Sequence, residues 1–192
     1  MKAFAFSALL AGTVAALVVA GGRVDASRVE ATELQNNKAP AFSLKTADGK
    51  THSLASLMEG ADEVHLYFIG HTCPVNARAL PYVNKIANTA NGKKVKFVGI
   101  TDADAAGHKA WQSKFDAKYP VLLDTDKKVI TSYGAQRSPW FIVVDKKGNI
   151  SHTDKGYSQA SLKMMNEHIA KVNGTKPVDV DLSGAPKNMT YG

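Results

Sequence analysis

A three-layer α/β fold, with a mixed central sheet, helices on both faces and a hairpin in front, is what this 192-residue sequence predicts. Three observations carry that expectation. From residue 64 onward, apolar runs of strand length alternate with stretches spaced as helices. The last two such runs are joined by the turn-forming segment Asp145-Lys146-Lys147-Gly148-Asn149. The composition is 44% apolar, which suits one core and one domain.

The elements follow in order. Phe42-Ser43-Leu44 and Thr51-His52-Ser53-Leu54 flank Asp48-Gly49, a hairpin turn signal. Residues 55–59 suit a short helix, and Val64-His65-Leu66-Tyr67-Phe68-Ile69 a strand buried on both faces. Val75, Ala79, Tyr82, Val83 and Ile86 recur at helical spacing and predict a helix over 74–90. A strand over 95–100, a helix over 105–119 stopped by Pro120, a strand over 121–123 and a short helix over 127–133 come next. Strands over 140–144 and 150–153 form the second hairpin, and a helix over 158–172 turns Leu162, Met165 and Ile169 inward. From Gly174 the chain holds Pro177, Gly184, Pro186 and Gly192 without apolar periodicity, so 173–192 reads as an irregular tail or surface strap.

The N-terminal segment differs in kind. Lys2 precedes a charge-free stretch from Ala3 to Ala20, followed by Gly21, Gly22, Arg23 and the small residues around Ala26. This describes a secretory signal over 1–26 cut after Ala26, with Val18-Val19-Ala20 a second cut site. An uncleaved membrane anchor is the rival, and only in that case is a membrane a partner. Residues 27–38 are polar and read as a flexible lead-in to a domain over 39–172. The net charge of +7 is spread over scattered lysines without a basic block, which argues against a nucleic-acid partner.

Cys73 is the only cysteine, so no internal disulfide supports the fold. It stands where the strand ending near Gly70 passes into the helix beginning at Pro74. A helix N-terminus has unpaired N–H groups and a partial positive charge, both of which stabilise an anion. Pro74 suits the first helical turn because no N–H is needed there. Cys73 is therefore the candidate nucleophile, against the alternative of a buried, inert cysteine.

The segment Tyr67-Phe68-Ile69-Gly70-His71-Thr72-Cys73-Pro74-Val75-Asn76, followed by Arg78 and Pro81, resembles the active-site segment of the thioredoxin-like superfamily. Within it the similarity is to the redoxin branch, related to alkyl hydroperoxide reductases and thiol-specific antioxidant proteins. A second segment, from Gln136-Arg137-Ser138-Pro139 through Trp140 to Ile150, is similar to that family's cis-proline loop, strand and hairpin. The resemblance covers roughly residues 39–171. It implies a thioredoxin-like fold and a redox-active Cys73 supported by His71, Thr72, Pro74 and Asn76. It also implies a substrate site walled by Ser138 and a cis Pro139.

The departures narrow the chemistry. A dithiol site has its second cysteine three residues after the first, where this chain has Asn76. Asn76 is either a hydrogen-bond donor to a thiolate or an exposed first-turn residue. Tyr67 occupies the place of the family's buried proton-accepting acid. The peroxidase pattern asks for Thr at Gly70, Pro at Leu66 and Arg at Ser138, with Arg137 one position off. His71 reads as a thiolate neighbour, a metal ligand or an exposed loop residue. His52, His65, His108, His152 and His168 show no metal-like spacing to each other, so neither a metal nor a cofactor is assigned.

The expected activity is monothiol exchange through Cys73 with protein or low-molecular-weight disulfides, completed by an external resolving thiol. A one-cysteine peroxidase and a non-catalytic binding or maturation module are the two rivals. The expected setting is periplasmic or extracellular.

Overall fold

The computed structural model describes residues 37–91 and 94–192. The signal segment and most of the lead-in lie outside the described residues. Twelve elements follow one another: β1 (Ser43–Thr46), β2 (Thr51–Ser53), α1 (Leu54–Met58), β3 (Glu63–Ile69), α2 (Pro74–Ala87), β4 (Val95–Thr101), α3 (Ala105–Phe115), β5 (Val121–Leu123), α4 (Lys128–Ser132), β6 (Trp140–Asp145), β7 (Ile150–Lys155) and α5 (Gln159–Asn173).

They build one seven-stranded sheet in the order β2-β1-β5-β4-β3-β6-β7. β3, β4 and β5 run parallel, while both edge hairpins pair antiparallel. The hairpin predicted at Asp48-Gly49 joins the sheet through β1 and β5. The parallel strands are linked by helices because a parallel pair needs a long crossover.

Period-2 alternation divides the core. Val64, Leu66 and Phe68 of β3 face one apolar cluster with Leu54, Leu57, Val129, Trp140, Ile142 and Val144. Tyr67 and Ile69 face the other, with Leu80, Val83 and Ile86 of α2 and Leu162 and Ile169 of α5. Helices therefore cover both faces, as expected.

The main differences from the sequence reading lie at two helix ends and in the lead-in. α3 ends at Phe115 rather than 119, because Asp116 takes a left-handed backbone (φ 46°) and donates its N–H to the Gln112 carbonyl. α2 stops at Ala87, where Asn88 caps it. The lead-in is anchored at its end: Asn37 accepts the Ile150 N–H, and Lys38 bridges to Asn149.

The tail is a strap rather than a loose end. Val178, Val180, Leu182 and Ala185 pack on the α2/α5 cluster, and Asn166 accepts the Val178 N–H at 3.0 Å. Their spacing is extended, with alternate residues inward, so no helical period marks them in the sequence. Among the described residues, no helix is long and apolar enough to cross a membrane.

Candidate active site at Cys73

β3 ends at Ile69, and a turn closed by the Cys73 N–H on the Gly70 carbonyl (3.0 Å) leads into α2. Cys73 is the N-cap of α2 with an extended backbone, and Pro74 follows in the first turn. The sulfur accepts the Asn76 N–H at 3.5 Å, so one otherwise unpaired donor of the helix start is aimed at it. The sulfur in turn lies 3.7 Å from the Ser138 carbonyl, to which the thiol donates. Cys73 is half-buried, whereas Thr72 and Pro74 are exposed.

The second wall comes from the strand next to β3. β6 runs antiparallel to it with Phe68 opposite Trp140, which sets the residues before β6 beside Gly70 and Cys73. The Ser138–Pro139 peptide there is cis. Ser138 Oγ accepts the Gly70 N–H at 2.8 Å and donates to Asn76 Oδ1 at 3.0 Å. Gly70 is confined by these walls: a Cβ there would lie 2.9 Å from Cys73 Cβ and 3.0 Å from Ser138 Cβ. A cavity of about 410 Å³ opens in front of the sulfur, lined by Gly70, Cys73, Asp102, Lys127, Arg137 and Ser138 among others.

One reading of a supporting residue is corrected. Asn76 is neither exposed nor a side-chain donor to the sulfur. It is 1% exposed, and its Oδ1 accepts from both Tyr67 (2.6 Å) and Ser138. Helical geometry turns the third residue of α2 back over the sheet, where Tyr67 rises to meet it. Burial pushes the Tyr67 phenol well above its usual range, so it stays a proton donor. His71 is paired elsewhere: its Nδ1 lies 2.9 Å from Asp102 Oδ1, and no hydrogen bond joins it to the sulfur. Asp102 also accepts Lys127 at 3.0 Å. Partial burial works against its charge, but the Lys127 and His71 hydrogen bonds outweigh that and hold the carboxyl below the ordinary aspartate value.

The residues that sequence reasoning missed belong to the tail. The Ser138 N–H donates to the Gly192 carbonyl (3.1 Å), and the Gly192 N–H donates to the Ser138 carbonyl (2.8 Å). Tyr157 and Thr190 exchange the same pair of bonds at 2.9 Å each. Arg137, the residue one position off the peroxidase pattern, sits over the Tyr191 ring at 4.5 Å. The tail thus lies along the cis-proline loop and against the sulfur, where a Cβ on Gly192 would come within 2.7 Å of Cys73 Sγ. No sequence signal marks this approach, because a lone terminal-region glycine is uninformative.

The arrangement holds one sulfur at a helix start, beside a backbone edge able to pair with an extended chain. The model of the family described as Redoxin matches residues 34–170. The chain belongs to the Redoxin family. This redoxin is 26% identical over 148 residues to the thiol-disulfide oxidoreductase ResA of Bacillus cereus, covering 76% of this chain and 82% of that protein. It is 28% identical over 95 residues to a chloroplastic peroxiredoxin Q of Suaeda salsa, covering 50% of this chain and 44% of that one. Among solved structures, MTB DsbF superposes with a TM-score of 0.58 at 29% identity, over 67% of this chain and 94% of its own. A Chlorobium tepidum protein described as a DsbE thiol:disulfide interchange protein gives 0.64 at 21% identity, over 73% and 98%. These likenesses establish the thioredoxin-like fold of this redoxin.

Proposed function

We propose that this redoxin exchanges thiols with disulfides through the single sulfur of Cys73, acting on protein or small-molecule disulfides after export. The observation that carries the reading is the Cys73 sulfur at the α2 N-cap, in contact with the cis Ser138–Pro139 loop and lining a cavity beside it. The similarity to ResA, named a thiol-disulfide oxidoreductase, supports it.

In the reaction the Cys73 thiolate attacks one sulfur of a substrate disulfide. The substrate S–S bond breaks, a mixed disulfide forms on Cys73, and the other substrate sulfur leaves as a thiolate that takes up a proton. Asn76 occupies the place from which a second cysteine would attack, so release falls to an outside thiol. That thiolate attacks the mixed disulfide and returns Cys73 to its reduced form. Pro139 and the Ser138 backbone wall the substrate side, and the Asn76 and Ser138 side chains position the loop.

Residues 1–26 act in this reading as the export signal, 39–172 as the redoxin domain and 173–192 as its strap. The test is intact-mass analysis of the reduced chain exposed to oxidised glutathione. One adduct on Cys73, absent from Cys73→Ser and removed by added thiol, is expected. No adduct at a thiol that still alkylates would overturn the reading.

The similarity to peroxiredoxin Q favours a second reading, a one-cysteine peroxidase in which the thiolate attacks a peroxide oxygen and becomes a sulfenic acid. The crowding at Gly70 leaves no space for the hydroxyl side chain that the peroxidase pattern places there.

A further inference from the structure

We infer a divalent-cation site, unrelated to the sulfur, formed by Glu63, His65 and His168. Glu63 and His65 are two residues apart on β3, so both project to the same face, and α5 lowers His168 onto them. His65 Nε2 lies 3.1 Å and His168 Nε2 2.8 Å from the same carboxylate oxygen, Glu63 Oε2. The three ligand atoms lie within 4.8 Å of one another. His65 is buried at 5% exposure, which isolates one ligand from water.

Two imidazole nitrogens and one carboxylate oxygen converging on a point make a ligand set suited to borderline divalent ions such as zinc. The same atoms also satisfy one another as hydrogen bonds, and metal binding would replace those two bonds. A cavity of about 460 Å³ adjoins the cluster, with His152 and Asp154 in its wall. The coordination positions left by three protein ligands therefore have space and polar groups on the cavity side.

The test uses the full chain carrying Cys73→Ser, so that no thiolate competes, with zinc or cobalt(II) as the probe in equilibrium dialysis. About one ion per chain is expected, with affinity falling by at least about tenfold in Glu63→Gln and in His168→Ala; even outer-shell losses carry that much. His168 is 47% exposed in its side chain, so its replacement leaves the core intact. No retained ion, or equal retention by parent and His168→Ala, would overturn the site.

A separate observation carries a second inference: residues 190–192 are an internal strap that occludes the Cys73 site and must be displaced by substrate. It rests on the exchange reading above. The Ser138 edge is filled by Gly192 in a reciprocal pair of backbone bonds, the same bonds an added extended chain would make. Gly192 meets the sulfur without a side chain, and Tyr191 is held by Arg137.

Gly192→Val places carbon within 2.7 Å of the Cys73 sulfur and is expected to lift the strap. Removal of residues 188–192 does the same more completely. Both variants are expected to alkylate at Cys73 several-fold faster with iodoacetamide, and a peptide matching residues 186–192 should slow the truncated form again. Unchanged alkylation in both would overturn the strap. Faster alkylation with an unchanged rate of glutathione adduct formation would overturn displacement of the strap by substrate, whereas faster alkylation with no adduct at all would overturn the exchange reading.

Discussion

Tyr67 donates its phenol proton to Asn76 Oδ1 at 2.6 Å, directly beneath the turn that carries Cys73. The same oxygen accepts Ser138 Oγ, so one buried amide ties the central strand, the active helix and the cis-proline loop together.

Removing that amide strands the buried Tyr67 hydroxyl and leaves the Ser138 hydroxyl only the more distant Phe68 carbonyl, at 3.4 Å, to donate to. A buried hydroxyl costs about 1–3 kcal/mol when left unpaired. Asn76→Ala is therefore expected to lose about 2–4 kcal/mol, and Tyr67→Phe about 1 kcal/mol, since it removes the donor with its need. Urea unfolding monitored by tryptophan fluorescence measures both. Equal, small losses would show that Asn76 does not hold the three elements together.

Gly70 makes a further prediction. A side chain at this position meets Cys73 Cβ at 2.9 Å, so Gly70→Thr restores the peroxidase pattern on paper but overpacks the site. Overpacking costs about 1–3 kcal/mol. Lower stability with no gain in peroxide rate is expected from parallel denaturation and stopped-flow measurements.

The ranking of oxidants can be measured directly. Loss of one oriented donor in a catalytic site costs about 2.7–4 kcal/mol, or roughly 100–1000-fold in rate. Peroxide reduction needs such donors, whereas disulfide exchange needs an accessible thiolate and a surface for its partner. Reduced protein mixed with each oxidant should react with oxidised glutathione and be oxidised by peroxide no faster than an ordinary reactive thiol. A peroxide rate orders of magnitude above that would make the peroxidase reading the first.

Asp102 supplies the pH dependence. Its folded value is depressed below the ordinary aspartate value, so its contribution to stability is present above that value and fades as pH falls through the lower folded one. An NMR titration should place its midpoint below 3.8, and Lys127→Ala should move it upward by removing the 3.0 Å partner. An unmoved midpoint would mean that His71 alone holds the charge.

Much of this redoxin was legible in residue order. Strand and helix periods, the Asp48-Gly49 turn and the capping position of Cys73 before Pro74 are local properties, set by neighbours within a few residues. The absence of a second cysteine at Asn76 likewise excludes an internal dithiol cycle without any coordinates. Tertiary structure decided what distance in the chain conceals. Whether Asn76 faces water or Tyr67 depended on how α2 sits on the sheet, and His71 found Asp102, 31 residues away, instead of the sulfur. Glu63 and His168 are 105 residues apart and meet only because α5 packs over β3. The strap was hidden for the same reason: its bonds to Ser138 are backbone bonds, which no side-chain pattern encodes, and only packing against the core brings Gly192 to Cys73.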